Sequence, residues 1–245
     1  MISRTYDHNY LYHLDKVFSK TKEYRLRNLN PTSTDTVVDL GCGIGLDAQR
    51  IAACGAKVIA IDFDESFIEK ARLMNDNSKI KFYNSSIYEL PIESNTVSKI
   101  TIDRVFQHLE NHDAAFNEIN RVLVKNGKIQ ITDTDYLSMT FFTEFIQLEK
   151  KLINFIATEK IPNAWKVRIL FNNIESYGYK VINRISHDYS FNSIEIANSI
   201  VRFNKIFNDG YKTGYFSDEE LLEWEKIKSN FKFSMNLLTI DAIKI

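Results

Sequence analysis

Cysteine is nearly absent from this 245-residue chain, which carries only Cys42 and Cys54. Two cysteines are too few for a disulfide framework, and no companion Cys/His spacing indicates a zinc site. No uncharged run reaches the roughly 18 residues that span a bilayer, and the N-terminal stretch lacks the apolar segment of a signal peptide. We therefore expect a cytoplasmic protein with no metal and no membrane association.

An excess of charge of one sign is also lacking. Lys plus Arg (31) nearly balance Asp plus Glu (32), so the charge count gives no attraction to nucleic acid. Only three prolines are present, too scattered to mark a linker, and the length suits a single domain over residues 1–245. We expect a small-molecule partner and no nucleic acid, and the sequence does not give the oligomeric state.

From Thr36 onward, short apolar runs alternate with amphipathic stretches. The alternation predicts strands and helices in turn, which is typical of a parallel sheet covered on both faces. We predict an α/β core at about 36–135, with helical additions at about 5–30 and 137–230 that form a cap, and a last strand at about 231–245. The predicted strands number seven: TVVDL, KVIAID, KIKFYN, SKITIDRVF, KIQITDT, YKVINRISHDY and KFSMNLLTIDAIKI.

Glycine is scarce, yet three of the eight glycines fall within five residues, between the first predicted strand and the next helix: Gly41, Gly43 and Gly45. Glycine allows positive φ and lets a ligand lie against the main chain, and the following helix offers unpaired N–H groups. The spacing G-x-G-x-G differs from the G-x-G-x-x-G of dinucleotide sites, because Leu46 stands where the third glycine would be. Asp39, two residues before the first glycine, suits a cationic amino group better than a diphosphate.

A second acidic residue, Asp62, ends the next predicted strand about 20 residues on, where an acid accepts hydrogen bonds from ribose hydroxyls. With it, VVDLGCGIGLDAQRIA and VIAIDFDESFIEKAR resemble the first two motifs of class I S-adenosylmethionine-dependent methyltransferases. The resemblance extends over roughly 100 residues, through DRVFQHLENHDAAFNEINRVLVKNGKIQITDTD. It implies a Rossmann-like, mostly parallel seven-stranded sheet and S-adenosylmethionine as cofactor, with S-adenosylhomocysteine as product.

The resemblance assigns parts of the cofactor to particular residues. Asp39 and the glycines line the methionine part, Asp62 holds the ribose, Phe63 packs on the adenine, and Arg104 forms part of the methionine-side wall. The family often has an aspartate after the third strand, where Ser86 stands here; its hydroxyl is a weaker acceptor for the adenine amino group, and Ile87 offers an N–H. The predicted cofactor-binding residues are Asp39, Gly41, Cys42, Gly43, Gly45, Asp62, Phe63, Ser86, Ile87 and Arg104.

His108 follows the fourth predicted strand, close to where the transferred methyl group should lie. Its pKa range suits a general base, and a packing role at the start of the loop is an equal alternative. For the substrate pocket we predict Tyr6, Tyr10, Trp165 and Phe203, although aromatic residues at helical spacing also pack in cores.

The predicted function is methyl transfer from S-adenosylmethionine to a small organic acceptor, at O or N in preference to C. Two alternatives stay open. One is an RNA or protein methyltransferase, against which the absence of a basic patch argues. The other is a regulatory protein that binds the cofactor without catalysis.

Overall fold

A computed structural model describes residues 8–161 and 163–245. The strands are β1 (Thr36–Leu40), β2 (Lys57–Asp62), β3 (Ile80–Asn84), β4 (Val97–Asp103), β5 (Leu123–Phe141), β6 (Tyr179–Phe191) and β7 (Phe233–Lys244). The helices are α1 (His8–Val17), α2 (Ser19–Leu29), α3 (Leu46–Ala53), α4 (Glu65–Met74), α5 (His112–Val122), α6 (Ile146–Phe155), α7 (Ala164–Asn173), α8 (Ile194–Val201), α9 (Phe203–Lys212) and α10 (Asp218–Ser229). Two 3₁₀ segments, Phe106–His108 and Ile174–Tyr177, and a π-helical segment, Ile156–Lys160, complete the regular structure.

The seven strands form one sheet in the order β3-β2-β1-β4-β5-β7-β6. The pairs β1–β2, β2–β3, β1–β4 and β4–β5 are all parallel. The strand order changes direction between β1 and β4, and a crevice opens at the carboxyl ends of the strands at such a point. The predicted seven-stranded, mostly parallel α/β fold of the Rossmann-like kind is confirmed.

The first βαβ unit shows why the sequence folds in this way. The last four residues of β1 are buried, as expected for a parallel strand with both faces covered. Ile51 and Ala52 of α3 pack in one core cluster with Val37 of β1 and Val58 of β2. Helix α4 begins and ends where the pattern ESFIEKARLM predicts, and its N-cap Asp64 accepts a hydrogen bond of 3.0 Å from the Ser66 N–H.

The region around β5 differs from the prediction in two places. The pair Asn126-Gly127, a dipeptide whose sequence predicts a turn, lies inside β5, where Asn126 has φ 62° and the register with β4 shifts between Val97 and Lys99. The predicted helix from Leu137 begins only at Ile146, because residues up to Phe141 continue the strand. Met139 and Phe141 are buried, whereas Ser138 and Thr140 are half-buried. This period of two is that of a strand, and it shows that packing outweighs helical propensity here.

Helix α2 presents polar side chains to the sheet. Arg25 donates from Nη2 to Oγ1 of Thr101 at 2.6 Å. Gln130 donates from Nε2 to the Arg25 carbonyl at 3.1 Å and to Oδ1 of Asp241 at 2.8 Å. These buried hydrogen bonds fix α2 beside β4 and β5.

The chain divides into two compact units. The first comprises residues 1–133, 173–185 and 239–245, and the second comprises residues 134–172 and 186–238. The second unit has an aromatic core, in which Phe141, Phe203 and Phe233 are almost completely buried. The single domain expected over residues 1–245 stays a prediction. Among the described residues, no helix is both long enough and apolar enough to cross a membrane.

Candidate functional site

The glycine loop between β1 and α3 has a backbone that only glycine adopts readily. Gly41, Gly43 and Gly45 have φ values of 73°, 54° and 80°. The loop is held to β2, because the N–H groups of Gly41 and Cys42 both donate to the Ile61 carbonyl, at 2.8 and 3.0 Å. Burial raises the pKa of the Cys42 thiol, which therefore stays protonated in the loop.

Gly41 provides a test of this loop. A Cβ atom there would lie 2.2 Å from Cγ2 of Val105, whereas a Cβ at Gly178, with φ of 88°, would have no neighbour within 4 Å. We expect Gly41→Ala to lower the free energy of unfolding by about 2 to 3 kcal/mol, from backbone strain plus steric overlap. Gly178→Ala should lower it by only about 1 kcal/mol, from the backbone alone. Urea denaturation measures both, and equal losses would mean that the contact with Val105 is unimportant.

Asp39 is a buried acid near the carboxyl end of β1, a central strand of the sheet. Its side chain is 2% exposed, and Oδ2 has no hydrogen-bond partner within residues 8–161 and 163–245. Burial, together with the negative charge of Asp47, raises the pKa of Asp39 to about 7, against the opposing charges of Arg25 and Lys22. A buried carboxylate oxygen without a donor is unfavourable unless a ligand supplies the donor. The Asp39 carboxyl therefore keeps a buried acceptor oxygen that no described residue uses.

Asp62 and Phe63 lie together at the end of β2. The Asp62 carboxylate accepts from the N–H of Gly43 at 2.8 Å and from the N–H of Asp64 at 3.0 Å, so it links β2 to the glycine loop. Each carboxylate oxygen has a second lone pair that remains able to accept from a hydroxyl. The adjoining Phe63 ring is 80% exposed, which is unusual for a large apolar side chain and leaves a face open for stacking.

Ser86 and Ile87 follow β3, as the sequence predicts. Ser86 is exposed, and its hydroxyl accepts from the Tyr88 N–H at 3.2 Å while its carbonyl accepts from the Glu89 N–H at 3.2 Å. The Ser86 side chain therefore closes a local turn and keeps one lone pair for another donor. Its role toward adenine stays a prediction.

Arg104 begins the loop after β4 in a left-handed conformation, with φ of 56°. Its guanidinium donates to Oδ2 of Asp103 at 3.2 Å and lies 5.4 Å from the centre of the Phe18 ring. A non-glycine residue in this region of φ often marks a functional position. The cation is held at the same edge of the sheet as Asp39.

A network of charges around α2 was not foreseen from the sequence. Lys22 donates to Oδ2 of Asp47 at 2.6 Å and to Oδ2 of Asp103 at 2.7 Å, so it joins the start of α3 to the end of β4. Arg25 contacts the same two carboxylates, at 2.7 and 3.2 Å. Although burial opposes it, the attraction of these cations holds the pKa of Asp47 below its usual range. The network holds the start of α3, which follows the glycine loop, to the end of β4.

His108 ends the 3₁₀ segment after β4 and is exposed. Its Nε2 lies 3.0 Å from Nε2 of Gln107. The neighbouring His112 instead packs edge-on against Phe106, with ring centroids 5.1 Å apart, and its Nε2 lies 3.0 Å from the Phe106 carbonyl. His112 thus has a structural position, whereas His108 faces outward at the predicted site.

The four residues predicted for a substrate pocket fall in different surroundings. Tyr6 lies outside the described residues. Tyr10 is half-buried on α1, a helix that touches the glycine loop, since a Cβ at Gly43 would lie 3.0 Å from Cδ1 of Leu11. In the second unit, Trp165 is 48% exposed on α7.

Phe203 is buried within an aromatic cluster of the second unit. Its ring centroid lies 5.0 Å from those of Phe141 and Phe233, and its side chain has no exposed surface. The described structure therefore gives Phe203 a core-packing position, and it is not part of our proposal for the acceptor site. Within the described ranges, no three His, Cys, Asp or Glu side chains are grouped so that they could hold a metal ion.

Comparison with known proteins supports the resemblance seen in the sequence. Residues 38–131 match the family model "Methyltransferase domain". The chain is 23% identical, over 79% of its length, to an uncharacterized 37.1 kDa protein in transposon TN4556 of Streptomyces fradiae. It is 25% identical, over 62% of its length, to the demethylmenaquinone methyltransferase of Clavibacter sepedonicus. The matches span 57% and 59% of those two relatives, which is less than two thirds of their length.

A solved structure with a similar fold is the phosphoethanolamine N-methyltransferase 2 of Haemonchus contortus in complex with S-adenosyl-L-methionine. The TM-score is 0.60 at 15% identity, over 99% of this chain and 58% of that one. At this identity the similarity concerns the fold alone.

Proposed function

The chain contains a methyltransferase domain with the class I, Rossmann-like fold, and from this premise we propose that it transfers the methyl group of S-adenosylmethionine to the hydroxyl or amino group of a small organic molecule. The single observation that carries the proposal is the pair of acids at neighbouring strand ends. Asp39, just before the glycine loop, has an unpaired buried oxygen. Asp62, at the end of β2, accepts a hydrogen bond from the N–H of Gly43 in that loop.

The residues present fit this cofactor. Its ammonium group would supply the donor that Asp39 lacks, and Asp62 would accept from the ribose hydroxyls. Arg104, with donors beyond the one that reaches Asp103, would face the cofactor's carboxylate. The exposed ring of Phe63 would stack on the adenine.

Bound S-adenosylmethionine supplies a methyl group on a positively charged sulfur, which can be displaced directly by a nucleophile. The chain's own residues would therefore contribute mainly by aligning the acceptor and excluding water. Where the acceptor is a hydroxyl or a protonated amine, a proton must also be removed. The exposed His108 imidazole after β4 is the proposed base, because its usual pKa lies near neutrality.

The acceptor is proposed to be small for two reasons. The balanced charge count of the chain gives no net attraction to nucleic acid. In addition, one relative is named for demethylmenaquinone, a small molecule.

Incubation with methyl-labelled S-adenosylmethionine and a panel of phenols, quinols and amines tests the proposal. We expect labelled product from at least one member and stoichiometric release of S-adenosylhomocysteine. Transfer to added RNA or protein alone would establish a macromolecular acceptor instead. Cofactor binding without any transfer would favour the regulatory alternative.

Phe63 offers a separate test of the adenine site. Because the ring is 80% exposed, Phe63→Ala should leave the unfolding temperature nearly unchanged. It should weaken S-adenosylmethionine binding about tenfold, since stacking of an aromatic ring on a base contributes about 1 to 3 kcal/mol. The matched control is Leu73→Ala on α4, where the side chain is 85% exposed. Calorimetric titration that gave equal affinities for the two variants would exclude Phe63 from the site.

A further inference from the structure

Gln107, in the 3₁₀ segment after β4, has a buried amide with one unpaired end. The residue is 5% exposed, and its backbone N–H donates to Oδ2 of Asp133 at 3.1 Å. Its side-chain nitrogen donates to the Arg104 carbonyl at 3.4 Å and lies 3.0 Å from Nε2 of His108. Its Oε1 is buried and has no partner within residues 8–161 and 163–245. Gln107 therefore connects two predicted site residues and retains an unused acceptor.

The contact with the Arg104 carbonyl fixes which way the amide is turned, because reversal would bring Oε1, an acceptor, against another acceptor. In this orientation, the amide nitrogen donates to the Arg104 carbonyl and also donates to Nε2 of the neutral His108 imidazole, so His108 can take up a proton only after the second of these contacts is released. Oε1 is therefore the end of the buried amide that is left unpaired.

Gln130 shows that this is not a general feature of buried glutamines in the chain. Its side chain has no exposed surface, yet Nε2 donates to the Arg25 carbonyl and to Asp241. Its Oε1 accepts from Oγ1 of Thr101 at 3.5 Å. Since unpaired buried polar groups lower stability, the one at Gln107 is best explained by a ligand.

We infer that Gln107 binds the methyl acceptor: its Oε1 accepts a hydrogen bond from an O–H or N–H group of that molecule while its amide nitrogen orients His108. The inference rests on the proposed function, in which the cofactor's ammonium, carboxylate, ribose and adenine have other partners. Gln107 contacts Arg104 and His108, which follow β4, through its amide nitrogen. Its unpaired Oε1 is therefore available to the second bound molecule, the methyl acceptor. The acceptor then carries a hydrogen-bond donor at or beside the methylated atom.

Pairs of small probes that differ only in such a donor test the inference. Phenol and aniline, which are both uncharged at neutral pH, are each compared with toluene for binding to the protein saturated with S-adenosylhomocysteine, by ligand-observed NMR titration. For the wild type we expect the donor-bearing member to bind about tenfold more tightly, the factor for one hydrogen bond to an otherwise unpaired buried acceptor. Gln107→Leu should abolish the difference, and Gln107→Glu, which keeps an acceptor oxygen, should preserve it.

Two controls separate binding from structure. Gln147→Leu, at an exposed position of α6, should behave as the wild type does. Gln130→Leu should lower the unfolding temperature, because it leaves buried partners unpaired, whereas Gln107→Leu should leave that temperature unchanged or raise it.

The outcomes are decisive in both directions. An equal preference for the donor-bearing probe in the wild type and in Gln107→Leu overturns the inference, as does the absence of any preference in the wild type. Loss of S-adenosylhomocysteine binding in Gln107→Leu overturns it too, because Gln107 would then belong to the cofactor site. Failure of the wild type to bind S-adenosylhomocysteine contradicts the proposed function itself, and so the two failures are distinguishable.

Discussion

Replacing Asp62 by alanine should weaken S-adenosylmethionine binding about a thousandfold. The carboxylate is proposed to accept hydrogen bonds from both ribose hydroxyls, and charge-assisted hydrogen bonds contribute about 1.5 to 3 kcal/mol each. The same change leaves the N–H of Gly43 without its 2.8 Å partner, which adds disorder to the loop that lines the site. Calorimetric titration of the variant with S-adenosylmethionine measures the effect.

The fold should survive this change, with a loss of about 1 to 3 kcal/mol from the unpaired N–H. That loss is partly offset, because the pKa of Asp62 is raised by burial and a buried charge is removed. Asp64→Ala is the matched control, since it removes a carboxylate two residues away and the N-cap of α4. Its cofactor affinity should stay within about threefold of the wild type. Comparable affinity in a folded Asp62→Ala protein would refute the ribose assignment.

Asp39→Asn should weaken S-adenosylmethionine binding about a hundredfold and remove a pH dependence that the wild type shows. Losing one partner of a buried charge pair reduces affinity by about 2 to 5 kcal/mol. In the wild type, burial raises the pKa of Asp39 to about 7, so the group is largely protonated below neutrality. A cationic ligand must then displace that proton.

The sign follows from linkage. As pH rises through 7, Asp39 ionises in the ligand-free protein, and affinity for the ammonium group increases, by about twentyfold between pH 5.5 and 7.5. Folding stability moves the other way. The pKa of Asp39 in the folded protein lies above the usual value of an aspartate, so the ligand-free protein loses stability as pH rises between about 4 and 7. Above about pH 8 the ligand's own amino group begins to lose its proton, and affinity falls again.

Nearby charged groups do not obscure this window. In spite of burial, Lys22 and Arg25 hold the pKa of Asp47 low, and Arg104, Lys22 and Arg25 hold that of Asp103 low, so both acids stay ionised throughout it. The control ligand is 5′-methylthioadenosine, which keeps the adenosine but lacks the amino-acid tail. Its affinity should show only the pH dependence of Asp62, whose pKa burial also raises, and should be unchanged in Asp39→Asn. An S-adenosylmethionine affinity that is flat with pH in the wild type would show that Asp39 does not meet the ammonium group.

The residues proposed for the cofactor could be singled out from the sequence because their signals are local. The left-handed backbone of the loop demands glycine at Gly41 and Gly45, and that demand is visible as a cluster between a strand and a helix. Asp39 and Asp62 stand at strand ends that periodicity alone locates. The parallel character of the sheet follows from the alternation of strands and helices in the first 100 residues of the core.

What could not be predicted depends on long-range geometry. Lys22 meets Asp103 across 81 positions, and no local pattern distinguishes these residues from solvated surface charges. Gln107 is a common polar residue, and its signal is an unpaired atom that only the packed structure reveals. The continuation of β5 to Phe141 is set by packing, which overrides the helical spacing of that stretch. The burial of Phe203, the first residue of α9, depends on the aromatic cluster that only the folded second unit brings together.

Calorimetric titration of the purified wild-type chain with S-adenosylmethionine, S-adenosylhomocysteine and NAD tests the central claim most directly. Saturable binding of the first two, with none of NAD, is the predicted result. Binding of NAD, or of none of the three, would contradict the assignment of the glycine loop and its two acids to this cofactor.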